Sequence, residues 1–358
     1  MEQHSNIQQL LARVLQLTGR PVVFNEAQIH QEYAQEKAHQ SVTAIKILSV
    51  IGGFLATLAF LGFLFLGGIY DSGSLMIVLG LVFIIGAIGL NFAFDNLIIG
   101  TFSVTTFISG FILVAIGCIM QDMDENTVVY LLMALTVISL FFTQNYILTF
   151  VSTLAISGYI LALYIINDKQ EYVFLHINIL TLLIAYVFFQ EGFILSLGKK
   201  WSKLYRPLRA ALVFSLFSIL FANNYRYLSE ANLYGPWVSS IIPIIVILYL
   251  VYILLKLTPD RSSVLKIIIG ATCLLILIPT SFAPGILCSL LILLLSFYVN
   301  YKTGLVLSIV AFIYFTSVFY YDLQITLLVK SLLLFFSGVL FIVLYLLTNR
   351  KLKAHDEI

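Results

Sequence analysis

The sequence is poor in charge. Only 10% of its 358 residues are Asp, Glu, Lys or Arg, where a soluble globular chain carries about a quarter. That deficit excludes a water-facing surface over most of the chain. The apolar share is 61% and the mean hydropathy +1.05, and the apolar runs are long rather than alternating. Long runs select helical spans over a transmembrane barrel. Cysteine is scarce: Cys118, Cys273 and Cys288 lie inside apolar runs with no metal or disulfide spacing between them, so they read as small apolar side chains. A net charge of +2 is too small to suggest nucleic acid. The first 46 residues are polar and contain no cleavable apolar region. The first span is therefore expected to act as its own insertion signal.

Local patterns that carry chemistry are also missing. Metal-ligand spacings, phosphate-cradling glycine loops and activated nucleophiles are not found, which points away from an enzyme and gives no cofactor or metal ligand. Of His4, His30, His39, His176 and His355, only His176 lies near a span. All 17 acidic residues fall in terminal segments, loops or span ends. A coupled transporter commonly keeps a carboxylate deep in the bundle as its ion relay, and none is available here. The short link Asp95-Asn96 also lacks the Gly, Asp and Arg signature of the major facilitator transporters.

What is present is a series of apolar segments. Residues 1–46 form a small helical unit, with Ile7, Leu10, Leu11, Val14 and Leu15 at helical spacing and Gly19-Arg20-Pro21 as a break. This unit is expected on the membrane surface, or as a docking site for a partner. Twelve segments follow, over about 47–66, 75–94, 97–119, 127–142, 146–166, 173–189, 208–222, 237–255, 264–278, 285–299, 304–319 and 323–347. Residues 348–358 form a tail. With the N-terminus inside, alternate loops and termini hold sixteen Lys and Arg on the inner side against Lys169 and Arg226 on the outer, Lys330 set aside. This asymmetry places both termini in the cytoplasm and favours an even number of spans. The stretch 190–207 reads as a central, basic cytoplasmic loop. Tyr225, Tyr227, Tyr234 and Trp237 read as an interfacial belt. Gly52, Ala56 and Ala59 in the first span, and Gly86 and Gly89 in the second, are expected to allow close helix packing. Pro243 is expected to kink the eighth span.

One cation cannot be placed outside an apolar run. Lys330 lies about 12 Å along the helix from Asp322, and Asp322, Thr326, Lys330 and Ser337 share one face of the last span. An ammonium inside lipid costs roughly 2.5–3.5 kcal/mol on insertion scales and marks a functional site by default. Three fates are open to it: solvation by carbonyls and hydroxyls, loss of its proton, or pairing with an acid of another subunit. It can also snorkel outward and anchor the helix. A polar cavity there would draw on His176 and Asn178 as neighbours from the sixth span.

The run Tyr320-Tyr321-x-Leu323-x-x-Thr326-Leu327-Leu328-x-Lys330-Ser331, followed by Ser337-Gly338, resembles a bacterial membrane-protein family known only as a domain of unknown function. Members are commonly met near a membrane protein with a GDYXXLXY motif. The resemblance covers most of the chain after about residue 40. It implies a multi-pass protein of the bacterial inner membrane, with that neighbour as a candidate partner and no catalytic or binding residues to carry over. The combined expectation is an all-α polytopic bundle of about twelve spans over residues 47–347, embedded in the lipid bilayer. Its expected role is that of a non-enzymatic component acting with a partner membrane protein. The alternative is a small-molecule or lipid permease with an outward-facing cavity at Lys330.

Overall fold

The structure is a computed structural model. It describes residues 72–93, 97–143, 145–223, 236–256 and 280–322, with scattered residues at 52–63, 270–278 and 328–342. Every regular element among the described residues is a helix. Eight of these helices are long and apolar enough to cross a membrane, and Pro284–Tyr298 is apolar but shorter. The chain is therefore all-α with multi-pass membrane character. The unit 1–46, the spans expected at 47–66, 264–278 and 323–347, and the tail 348–358 lie outside the described residues, scattered positions apart. The belt tyrosines Tyr225, Tyr227 and Tyr234 lie outside them too. The other nine expected segments each coincide with a helix. By internal contacts the chain divides into two units, 1–113 and 114–358.

The first unit contains α1 (Gly73–Ala93) and most of α2 (Leu97–Met120). Met76, Gly80, Ile84 and Ala87 are the buried residues of α1, a stripe at helical spacing. A Cβ added to Gly110 would come within 2.8 Å of both the Gly80 carbonyl oxygen and Ile84 Cγ1. The two backbones therefore meet here, as small residues permit when packing alone drives association. Ser103 Oγ donates to the Ala87 carbonyl at 2.6 Å, and Asn91 Nδ2 donates to Ser103 Oγ at 2.8 Å. Gly86 and Gly89, expected to allow close packing, meet nothing within 4 Å among the described residues. They lie off the buried stripe.

The second unit continues with α3 (Glu125–Phe142), α4 (Tyr146–Ile166), α5 (Val173–Phe189), α6 (Glu191–Ser196) and α7 (Lys199–Asn223). Then come α8 (Ile241–Lys256), α9 (Pro284–Tyr298) and α10 (Lys302–Asp322). Short 3-10 turns, Gln170–Tyr172 and Pro236–Ser240, lead into α5 and α8. Two helix starts, those of α3 and α4, are capped by short polar side chains. The Asp124 carboxylate accepts from Thr127 N, and Asn145 Oδ1 accepts from Ile147 N and Leu148 N, satisfying donors that a helix leaves open. Along the helices Thr136, Ser139, Thr149, Thr153 and Thr181 donate to the carbonyl four residues back. Their hydroxyls thus cost little in an apolar medium.

The core of this unit lies among α5, α7, α8 and α9. Eleven of the seventeen residues of α5 are buried, and the remaining face, with Leu175, Ile179, Leu182 and Tyr186, is exposed and apolar. The other faces carry large apolar side chains outward, such as Phe141 on α3, Tyr252 on α8 and Val310 on α10, as lipid contact requires. Two sequence expectations change. The stretch 190–207 is not a loop: it holds α6 and the first turns of α7, with Pro207 inside that helix. Pro243, expected to kink its span, sits in the first turn of α8, directly after the 3-10 turn Pro236–Ser240, where its missing N–H interrupts no helical bond.

Candidate functional site

Of the six residues singled out from sequence, Lys330, Thr326 and Ser337 lie outside the described residues. Asp322 is the exposed last residue of α10 and edges a cavity of about 300 Å³ shared with Asn223 and Phe319. His176 and Asn178 are both buried on α5, at 3% and 8% exposure, but two residues apart they point to different neighbours. The His176 ring meets Tyr164 of α4 edge-on at 5.9 Å, and its Nδ1 has no hydrogen-bond partner among the described residues. Asn178 faces α8: its Nδ2 donates to the Val238 carbonyl at 2.7 Å, and its Oδ1 accepts from Ile242 N at 3.3 Å. Asn178 is thus a cap supplied to α8 by another helix. Of the three described residues, His176 and Asn178 face different neighbours and Asp322 lines a cavity with neither.

A different cluster is assembled at the other end of α5. Arg209, in the middle of α7, is only 9% exposed. One turn earlier on the same helix face stands Tyr205, whose hydroxyl accepts from Arg209 Nη1 at 3.1 Å. The guanidinium carbon lies 3.9 Å from the Tyr301 ring centroid, 4.9 Å from that of Tyr205 and 5.6 Å from that of Phe188. Glu191, the first residue of α6, brings a carboxylate oxygen to 3.5 Å of Nη1. The rings outweigh the acid. A cation over a ring is worth about 0.5–1 kcal/mol when exposed and about 2 or more when desolvated, while a loose, partly exposed ion pair contributes about 0–1 kcal/mol.

Tyr301 reaches this position through a local chain signal. α9 ends with Asn300 at a φ of 56°, the left-handed conformation that asparagine tolerates. Tyr301 N donates to Ser296 O at 2.7 Å and Asn300 N to Phe297 O at 3.2 Å, which is the paired closure of a Schellman end. Asp122 and Asp168 close α2 and α4 in the same way. Gly304 then lets Tyr301 fold back, because a Cβ there would collide with the Tyr301 ring and Ser296 Oγ. Burial pushes the Tyr301 phenol up from its ordinary value, against the opposing pull of Arg209. The ring therefore stays protonated and neutral at physiological pH.

Beside this stack opens a cavity of about 740 Å³. Its cations are Arg206, Arg209 and Lys302; its rings are Tyr146, Phe150, Phe214 and Tyr301. Arg209 Nε is buried with no hydrogen-bond partner among the described residues. Glu191 is the carboxylate brought within ion-pair distance of Arg209. Counting charges in the sequence gives no hint of this, because all three cations read there as topology-setting loop residues. The available signal was narrower: Tyr205 and Arg209 one turn apart, at the mouth of a long apolar run.

These features define a multi-pass, all-helical membrane protein with a basic, aromatic-walled cavity at one end of its central helices. The chain belongs to the family described as a domain of unknown function (DUF4401), matched over residues 43–351. No curated protein and no solved structure matches it.

Proposed function

We propose that this protein is a non-enzymatic component of the bacterial inner membrane that works by binding, beside a partner membrane protein. The observation that carries this reading is the fixed guanidinium of Arg209 over three rings at the wall of the 740 Å³ cavity. Arginine keeps its charge throughout the range in which proteins fold and moves no proton. The neighbouring Tyr301 phenol is held neutral. Such a constellation, a fixed cation among neutral rings, is suited to holding a ligand in place. The proposed topology has about twelve spans and both termini in the cytoplasm, which puts Arg206, Arg209 and Lys302 at the inner end of the bundle.

Purification of the tagged full-length chain in mild detergent tests the partner reading. A second membrane protein should co-elute in fixed stoichiometry. A second reading, passage of a small molecule through the bundle, is favoured by the size of the cavity, which falls within the roughly 300–1,000 Å³ of small-molecule sites. Solute uptake by vesicles containing only this chain, with no co-purifying protein, would replace the first reading by the second. Reporter fusions at residues 1 and 358 test the orientation: either terminus outside overturns it.

A further inference from the structure

We propose that the cavity formed by Arg206, Arg209 and Lys302 is a binding site for a phosphate ester, with the phosphate held by the cations and its organic part against the aromatic walls. This rests on the binding reading above and names the ligand class. Three cations line the cavity, while among the described residues the carboxylate in ion-pair range, Glu191, lies 3.5 Å from Arg209. Among the described residues positive charge is thus left over at this cavity. The buried Nε of Arg209 is an N–H without a partner among the described residues. Arg209 also lines the cavity, and a guanidinium is the planar group that grips two oxygens of a carboxylate or phosphate.

Three further points select the ligand. The guanidinium is pinned over Tyr301 and Tyr205, so its fork is oriented before anything binds, and little is lost in ordering it. Arg206 and Lys302 are exposed at the rim and come from two different helices, α7 and α10, so an anion between them would be clasped from both sides. The cavity also far exceeds what a bare oxyanion fills. Tyr146, Phe150 and Phe214 line the rest of it and suit an apolar or planar substituent. A phosphate ester meets both halves. It can come from a lipid headgroup, since basic pockets between spans take anionic lipids, or from a soluble phosphorylated compound.

Native mass spectrometry of the full-length protein in detergent tests this, with phosphatidylglycerol, phosphatidylcholine and glycerol 3-phosphate as probes. Phosphatidylglycerol retained at least tenfold over phosphatidylcholine, with retention lost in Arg206→Gln/Lys302→Gln, identifies a lipid headgroup. Saturable glycerol 3-phosphate binding lost in the same variant, without lipid preference, identifies a soluble ester. Both exposed positions can change without disturbing the core, so failure to fold does not cloud the outcome. Glu191→Gln, which removes the competing carboxylate, should tighten either ligand several-fold. Equal retention of all probes by the native and doubly substituted proteins overturns the proposal. That result leaves partner co-elution untouched, so the two readings fail separately.

Discussion

Replacing Asn178 tests the claim that a buried polar residue of α5 serves as the cap of α8. Asn178→Ala removes the acceptor for Ile242 N–H and the donor for the Val238 carbonyl. The third bond, to Phe174 O within its own helix, orphans nothing, because that carbonyl keeps its helical partner. Losing a cap costs about 0.5–2 kcal/mol, and a side-chain bond between membrane helices averages about 0.6 and reaches about 1.7 kcal/mol. Together these give an expected loss of about 1–3 kcal/mol, read as unfolding in mixed micelles titrated with a denaturing detergent. Asn178→Leu separates the causes. It restores the volume but neither bond, so it should be nearly as damaging as alanine. Hydrogen exchange at the Ile242 amide should accelerate in both variants. If leucine restores stability, or if both variants stay within about 0.5 kcal/mol with Ile242 exchange unchanged, Asn178 is filler and not a cap.

Three other perturbations follow from the same geometry. Gly110→Val forces a side chain into Gly80 and Ile84 and should destabilise the protein by about 1–3 kcal/mol, whereas Gly86→Ala, open to 4 Å, should stay within about 0.5 kcal/mol; thermal unfolding in detergent compares them. Gly304→Ala should displace the Tyr301 ring at a similar cost and weaken binding in the neighbouring cavity, measurable by the retention of phosphatidylglycerol. The raised Tyr301 phenol has a pH consequence of definite sign. The folded state favours the neutral form, so this stabilisation is complete below the ordinary tyrosine value of 10.0 and is lost as pH rises through the folded value. Melting temperatures followed from pH 8 to 11 should fall at the alkaline end less steeply in Tyr301→Phe than in the native protein.

The spans were legible because a lipid-facing helix announces itself by length and apolarity alone. Their ends were not. The start of α7 was hidden because Lys199, Lys200, Lys203, Arg206 and Arg209 are charged, and hydropathy reads charge, while Lys, Arg and Leu are good helix formers whatever their polarity. The helix simply continues past the apolar run. The turn at Asn300 was missed for a related reason: an asparagine between two apolar runs looks like any loop, and only its left-handed φ reveals that it aims Tyr301. Glycine spacing is a weaker signal. Gly86 and Gly89 have the spacing for close packing, but among the described residues the contact follows the stripe Met76, Gly80, Ile84 and Ala87, and no one-dimensional spacing says which face of an all-apolar helix turns inward. Arg209 was invisible as a site because Phe188, Glu191 and Tyr301 reach it only through the tertiary fold.

The sequence singles out Lys330 and the structure Arg209, and the difference between an ammonium and a guanidinium is testable at Arg209. An ammonium is a compact, strongly hydrated point charge, whereas a guanidinium is a weakly hydrated plane. If the plane is what the site is built around, Arg209→Lys keeps the charge and loses the reason for it. The stacks on Tyr301 and Tyr205 fade, the bond to the Tyr205 hydroxyl is broken or stretched, and a more thirsty ion is left in a restricted space. The expected cost is about 1–3 kcal/mol. Arg209→Met removes the charge but fills the same space between the rings. Its partner Glu191 is a third exposed and can turn to water, so little is stranded. The plane-centred account therefore predicts that lysine is at least as destabilising as methionine, although only lysine preserves the ion pair. Anion retention should fall in both. A lysine variant clearly more stable than the methionine variant in the same detergent would mean that charge, and not shape, holds the cluster together.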